Sequence, residues 1–500
     1  MHLLSFGSAR SGSLLAHWMR GQALRSSLST AETRNRNITT TERKRKYRVT
    51  LAVGTNLGDR LQHLHRALRL LPAQVLQTSF LYQTDPMYVT DQPVFWNGAV
   101  LVETDCEPLE LLNSIKSIEA ELGRNLQSAL RNGPRPIDLD ILYYQDDQDV
   151  VMSVNMDNLT VPHPRIAERD FVLQPLIDLL GPDFWHDNVT RLGELWEPLR
   201  PSSTAVRILP LRRGRAIVFN ETIVMGILNV TPDSFSDGGA LDSVEDAVHR
   251  ALEMEQQGAR IIDIGGESTR PGAEPVTIEE ELRRVIPVIE GIRKHSDIPI
   301  SIDTRHAYVA RLAIESGADI VNDVSGGQFD ADMLDTVSEL GIPMVLMHMR
   351  GTPQTMMKLT SYSDVVGEVA QSLKAISQQA HLCGVFQWNQ IVDPGIGFAK
   401  DLDGNLSLLQ HLSIIRSTMG HIPIMLGTSR KGFIGKVTGV EKPADRDPGS
   451  IASCIASFCL DDSVEPCNLI RVHNVPDSVQ ACRVMDAIRN IKVSIGVVIS

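Results

Sequence analysis

Apolar and polar positions follow two different beats along this chain. Over residues 47–200 strand-like and helix-like stretches mix without a regular order. "YRVTLAVGTNLGDRLQHLHRALRLLP" predicts a strand, a glycine-containing turn and a helix, with Leu61, Leu64, Leu68 and Leu71 at helical spacing. "VLQTSFLYQT" and "FWNGAVLVET" read as strands, and "PLELLNSIKSIEAELG" and "FVLQPLIDLL" as helices. That mixture predicts a compact α+β domain. From residue 217 onward the beat is regular. Eight apolar runs, each followed by a helix-like segment, are "IVMGILNV", "ARIIDIGG", "IPISID", "DIVNDVSG", "PMVLMHM", "QIVDPGIGF", "IPIMLGTS" and "NLIRVHNV". Continuous apolar strands alternating with helices predict a parallel sheet covered by helices. Eight such units in 217–500 predict a (β/α)8 barrel. Residues 201–216, in the Pro-, Ser- and Arg-rich stretch "WEPLRPSSTAVRILPLRRGRA", are expected to link the two domains.

Charge adds a third region. The chain carries 48 basic and 61 acidic residues, and residues 1–48 hold ten of the former and two of the latter, leaving the remainder at −21. A body that acidic repels nucleic acid. Residues 1–46 are Arg- and Ser-rich and acid-poor, the composition of an organellar transit peptide, with a disordered basic tail as the plainer alternative. A mitochondrial matrix destination is expected, with plastid and cytosol as the other options. No run of about 18 apolar residues occurs, so no membrane span is expected. The six scattered cysteines form no CxxC pair, which argues against a structural zinc site or a disulfide framework.

Chemistry first shows where charge breaks the pattern. In "NGPRPIDLDILYY" (132–144), Asp138 and Asp140 alternate with Ile137, Leu139 and Ile141, so both carboxylates share one strand face. A divalent cation such as Mg²⁺ would resolve their repulsion; an ion pair with Arg135 is the alternative. Glu119 sits on the apolar stripe of its helix with Leu112, Ile115 and Leu122, and needs a partner or a wet cleft. Arg124, Arg131, Arg135, Arg165, Arg169 and His163 follow nearby, and arginine forks suit phosphate oxygens. Together these point to Mg-nucleotide chemistry.

"GTNLGDR", "DQPVFWNGAV", "GPRPIDLDIL" and "VPHPRIAERDFVLQPL" resemble 6-hydroxymethyl-7,8-dihydropterin pyrophosphokinase over residues 47–200. The resemblance implies a ferredoxin-like α+β fold with Asp138 and Asp140 binding Mg²⁺ that bridges ATP. It implies that Thr84, Phe95, Asn97 and Phe171 line a pterin site. Glu119, Arg124, Arg135, His163 and Arg169 would hold ATP, with Arg135 and Arg169 counted as catalytic alongside the two aspartates. Asn132 stands where the family often has an indole, and 125–131 is less basic than usual.

The strand ends of the second region carry its chemistry, as expected for a barrel. They are Asn229, Gly265–Glu267, Asp303, Asn322–Asp323, His348, Asp393, Gly427–Ser429, and Arg471 with His473. Capping of the following helices accounts for a share of these. His348 is expected to be a satisfied core histidine, and Met344, Met347 and Met349 barrel packing. "LNVTPDSFSDGG", "GESTRPG", "DPGIGF", "SRK" and "IRVHNV" resemble dihydropteroate synthase. The resemblance implies that Asp303, Asn322, Asp393 and Lys431 bind a pterin, with Asp393 and Lys431 catalytic. Asn229, Thr269, Arg270, Arg471 and His473 would hold its diphosphate, Asn229 with Mg²⁺. Thr269, Pro271, Phe398 and Lys431 would flank p-aminobenzoate under loops at Phe235–Asp237 and Thr269–Arg270. Gly432 departs from the usual serine after "SRK".

The product of the first activity is the substrate of the second. The expectation is therefore a bifunctional folate-biosynthesis enzyme of the plant organellar type, using ATP, with small-molecule partners and a possible homo-oligomer through the barrel domain. A pterin-binding methyltransferase and an inactive pterin-binding scaffold are the rival readings; the cations Arg270, Lys431, Arg471 and His473 favour a diphosphate cradle over the first.

Overall fold

The computed structural model describes residues 46–87, 89–124, 133–187, 189–231, 243–270, 272–460 and 468–490. The expected leader thus lies almost wholly outside the described residues. The N-terminal region is built on strands β1 (Tyr47–Thr55), β2 (Gln74–Thr78), β3 (Leu81–Thr84), β4 (Phe95–Thr104) and β5 (Asp138–Gln145). A small hairpin follows, β6 (Val154–Met156) with β7 (Leu159–Val161). The helix Arg60–Leu70 starts at Asp59, whose carboxylate accepts the Gln62 N–H, and buries Leu61, Leu64 and Leu68. With the helix Pro108–Glu121 it covers one face of the sheet, over Val49, Leu51, Val53, Leu139 and Ile141. The helix Asp170–Leu180 packs on the other face over Ala99, Leu142 and Tyr143. Leu139 and Ile141 point into the first core, so Asp138 and Asp140 point to the opposite face, as the alternation predicts.

The stretch expected as a linker contains a strand and leads into a second. β8 (Val206–Pro210) and β9 (Ala216–Val218) extend the sheet to the order β5-β1-β4-β3-β8-β9, with β2 on β4. Leu81 pairs with Ile208 and Tyr82 with Arg207. The proline- and arginine-rich flanks mask a short apolar alternation that needs the β3 edge to become a strand.

The second region is a closed parallel barrel of β10 (Ile223–Asn229), β11 (Ile261–Gly265), β12 (Ile300–Asp303), β13 (Ile320–Asp323), β14 (Met344–Met347), β15 (Gln390–Asp393), β16 (Ile424–Leu426) and β17 (Asn468–Val472). Every expected strand is present, and Ile223 pairs with Leu469 to close the ring. Alternate residues face helices or interior. Val224, Ile262, Ile302, Val392 and Ile470 join the core under the helices. Met225, Ile261, Ile320, Val345, Ile391, Met425 and Leu469 form a separate inner layer. Leu209, Leu211, Ile217 and Phe219, on and beside β8 and β9, belong to that same layer. The hairpin therefore both widens the first sheet and plugs the N-terminal end of the barrel. Arg207 lies over the Phe80 ring at 3.9 Å and donates to His421 O at 3.0 Å, tying the two regions together. Among the described residues no helix is long and apolar enough to cross a membrane.

Two candidate active sites

The first site follows from strand register. Gly54 of β1 sits opposite Asn97 on β4 and Asp138 on β5, and Ala52 sits opposite Asp140. These residues line an open cavity of about 340 Å³ at one end of the sheet. Phe95 and Phe171, with the polar Thr84 and Asn97, line one side of it, and Arg124, Arg135, His163 and Arg169 form its basic side. Asn97 Nδ2 donates to Thr84 Oγ1 at 2.8 Å, which fixes the amide. The Arg135 guanidinium lies 5.2 Å from the Phe95 ring and that of Arg169 5.7 Å from the Phe171 ring.

Arginines flank one aspartate. Arg124 pairs with Asp138, and Arg135 Nε lies 3.4 Å from it, so the ion-pair alternative is part of the geometry. Burial and the adjacent Asp138 carboxylate raise the Asp140 carboxyl above its ordinary range. Two part-buried carboxylates on one face of a cavity, one of them strained by like charge, fit a Mg²⁺ ion. The Arg165 N–H donates to His163 Nδ1 at 3.2 Å, leaving Nε2 as the protonated nitrogen, and burial lowers the His163 pKa.

Glu119 departs from expectation. It is fully buried and is not part of the cavity wall. Its Oε1 accepts from Arg124 at 2.6 Å and from the Leu139 N–H at 2.9 Å, and Lys116 reaches its other oxygen at 3.0 Å. It thus holds Arg124, Lys116 and β5 from beneath, and its carboxyl is raised by burial. Lys116, which lines the cavity, was not singled out in the sequence; its signal is a cation three residues before a buried acid on one helix face. Arg131, Asn132 and 125–131 lie outside the described residues.

The second site is the C-terminal mouth of the barrel. Continuing the inward alternation above the apolar layer gives Asn229, Asp263, Asp303, Asn322, Asp393, Gly427, Arg471 and His473. Asp393 and Asn322 are buried, and Lys431 is half-buried. The Gly395 N–H donates to Asp393 Oδ1 at 2.7 Å. Gly427 leaves room beside them: an added Cβ would lie 3.7 Å from Lys431 Nζ and 3.8 Å from Asp393 Oδ2. Lys431 also donates to Ile396 O and lies 4.6 Å over the Phe398 ring. Burial raises the Asp393 carboxyl and lowers Lys431 to about 8, each opposed by the other's charge.

Arg471 bridges two acids, with Nε on Asp263 at 2.6 Å and a terminal nitrogen on Asp303 at 2.7 Å. Asp263, fully buried, also accepts from Asn322 Nδ2 at 3.1 Å. Asp263 was overlooked in the sequence, although a lone acid at an inward position of "ARIIDIGG" was the signal. Ser429 Oγ accepts the His473 N–H at 3.1 Å and contacts His473 Nδ1 at 2.9 Å, and burial lowers that ring to about 3. A neutral His473 keeps one ring N–H as a donor.

Thr269 is half-buried and Arg270 exposed, on a loop braced from below. Glu267 pairs with two Arg305 nitrogens at 2.8 and 3.1 Å, and Glu281 with His306 at 2.9 Å. Glu267, Glu281 and His306 lie within 4.8 Å of one another, but Arg305 and His306 balance both acids. Arg430 is turned away onto Asp447 at 2.8 Å. His348 is buried and, as expected, satisfied, by Lys400. Pro271, the Phe235–Asp237 loop with Ser234 and Ser236, and Cys467 lie outside the described residues.

Two family models match in this order. Residues 50–181 match 7,8-dihydro-6-hydroxymethylpterin-pyrophosphokinase, and residues 225–473 match the pterin binding enzymes. The mitochondrial folate synthesis bifunctional protein of Pisum sativum is 42% identical over 470 residues, covering 88% of this chain and 89% of its own length. The chain belongs to the bifunctional folate-synthesis proteins. The dihydropteroate synthase of Xanthomonas albilineans, solved with 4-aminobenzoic acid, is 41% identical, covers 56% of this chain and 97% of its own, and has a TM-score of 0.51. The HPPK-DHPS of Plasmodium falciparum, solved with pteroate, covers 90% of this chain and 99% of its own at a TM-score of 0.68; at 23% identity it shows the shared fold. As a folate-synthesis bifunctional protein, the chain carries its diphosphokinase on the antiparallel sheet and its dihydropteroate synthase in the barrel.

Proposed function

We propose that the sheet site transfers diphosphate from ATP to 6-hydroxymethyl-7,8-dihydropterin and that the barrel mouth condenses the product with p-aminobenzoate. One observation carries this reading. Asp393, Lys431, Arg471 and Asn322 converge at one barrel mouth, in a chain whose sheet presents Asp138 and Asp140 beside paired aromatics and arginines.

In the first step the pterin lies between Phe95 and Phe171, with Asn97 and Thr84 on its polar edge. Its hydroxymethyl oxygen attacks the β-phosphorus of ATP and AMP leaves. Arg124, Arg135, Arg169 and His163 hold the phosphates in line, and positioning supplies most of the rate. Asp138 and Asp140 would hold Mg²⁺, which neutralises phosphate charge when bound.

In the second step Asn322, Asp303, Asp393 and Lys431 bind the pterin ring. Arg471, His473, Arg270, Thr269 and Asn229 hold the diphosphate. Diphosphate leaves, a cationic pterin methylene forms, the Asp393 carboxylate stabilises it, and the arylamine nitrogen bonds to that carbon with loss of a proton. Asn229 would contribute to a metal on the diphosphate side. Phe398, Thr269, Pro271 and Lys431 flank the arylamine, so sulfonamides should compete with it. The leader composition and the mitochondrial pea relative support a mitochondrial location.

The test is a coupled assay on the full chain. AMP release should need ATP and the pterin alcohol alone, and diphosphate release should need p-aminobenzoate as well. Diphosphate release that ignores p-aminobenzoate would refute the condensation reading.

A further inference from the structure

We infer that Lys400 is a positioning residue for the condensation site, holding the loop 394–398 from behind while Lys431 holds it from the mouth. The inference rests on the reading of Asp393 and Lys431 given above. Lys400 is 2% exposed. Its ammonium donates to Phe398 O at 2.9 Å, Gly395 O at 3.0 Å and His348 Nδ1 at 3.1 Å, which uses all three N–H groups.

The loop between them has no slack. The Gly395 N–H is spent on Asp393, and the Gly397 N–H donates to Asn405 Oδ1 at 2.6 Å. Gly395 has φ +70, and a Cβ there would lie 2.0 Å from His348 O. The His348 N–H in turn donates to Asp393 O at 3.0 Å. Carbonyls at 395 and 398 therefore point back to Lys400, and the carbonyl at 396 points forward to Lys431. Lys431 takes its direction from that carbonyl and from the Phe398 ring. Release of Lys400 would free both supports at once.

Stability alone does not explain a lysine here. Burial lowers it to about 7, so the charged form is held at a desolvation cost, offset by the nearby Asp393 charge. A charge kept at this depth, hydrogen-bonded wholly to one functional loop and its neighbour, serves geometry.

The test uses Lys400→Met and Lys400→Gln in the full chain. Condensation is measured from supplied dihydropterin diphosphate and p-aminobenzoate, and active sites are titrated by calorimetric binding of the diphosphate ester. The expected result is a kcat per titrated site about 10- to 100-fold lower, the scale of an ångström-size misplacement. KM for p-aminobenzoate should rise and AMP release stay unchanged. A wild-type rate per titrated site, or a rate lost only in proportion to the sites lost, overturns the inference. Lys400→Gln keeps a donor without the charge and decides the same question should the methionine variant fail to fold. Asp393→Asn and Lys431→Met run alongside: if they retain condensation, the reading of the site fails, independently of Lys400.

Discussion

Arg471 Nε donates to Asp263 Oδ2 at 2.6 Å, joining the last barrel strand to the second across the mouth. Asp263 is wholly buried, and its second oxygen has no hydrogen-bond partner among the described residues. The pair therefore aims the guanidinium while Asp263 itself stays away from solvent. Removing one partner of a buried ion pair costs about 3–5 kcal/mol because the other charge is stranded, although Asp303 shares that burden here. Asp263→Asn should lower condensation kcat/KM roughly 10- to 100-fold, about 1.4 kcal/mol per tenfold, and leave AMP release intact. Unchanged condensation kinetics would mean that Asp303 alone orients Arg471.

Continuous apolar runs mark the eight barrel strands, and the polar residues that close those runs include nearly every inward polar residue of the mouth. A parallel strand is buried on both faces, so Asp or Asn at its end either serves the mouth or, like Asp323, ties down the following turn. Asp263 escaped because it lies mid-strand, where an apolar neighbourhood disguises it. Glu119 stands out on its apolar stripe, but only the packed helix shows that its carboxylate faces β5 and accepts the Leu139 N–H. The strand at 206–210 escaped because its partner, β3, is more than a hundred residues away in sequence, and local composition reads as a loop.

Asp138 and Glu119 separate chemistry from support in the first site. Asp138→Asn should reduce AMP release at least about 100-fold, the scale of a lost preorganised electrostatic group. Condensation of supplied diphosphate ester should continue at the wild-type rate. AMP release at the normal rate would remove Asp138 from the reaction. Glu119→Ala leaves the buried Leu139 N–H and the inner side of Arg124 without an acceptor, so it should cost about 1–3 kcal/mol of stability in denaturant melts. Glu119→Gln keeps the Leu139 bond and should recover part of that loss. If the two variants melt alike, the bond to Leu139 contributes nothing.

The pH dependence of the second step should have a basic limb with two contributions, Lys400, lowered by burial from 10.5 to about 7, and Lys431, lowered from 10.5 to about 8. Below about pH 8 the Lys431 ammonium is present for the pterin; above it the amine is neutral, and condensation should fall. Stability moves the other way. Between about pH 8 and 10 the unfolded Lys431 binds a proton that the folded one has lost, so this group makes the fold more stable as pH rises. Lys431→Arg keeps its charge, so its pH–rate profile should keep only the Lys400 contribution near pH 7 and stay flat from pH 8 to 10 at a lower plateau. A basic limb near pH 8 that survives in Lys431→Arg would assign it to another group.

The plug predicts where the synthase can be cut free. Leu209, Leu211, Ile217 and Phe219 close the lower end of the barrel against Met225, Ile261 and Val345. Burying each such side chain contributes about 1.5–3 kcal/mol, so losing four is comparable to the whole stability of a domain. A chain beginning at residue 204 keeps the hairpin and loses its pairing with β3, which leaves an exposed strand edge and an otherwise complete barrel. A chain beginning at residue 220 exposes the inner layer. The first should be soluble, melt cooperatively and catalyse condensation; the second should aggregate or melt at least about 10 °C lower. Equal melting of the two would show that the hairpin serves only the neighbouring sheet.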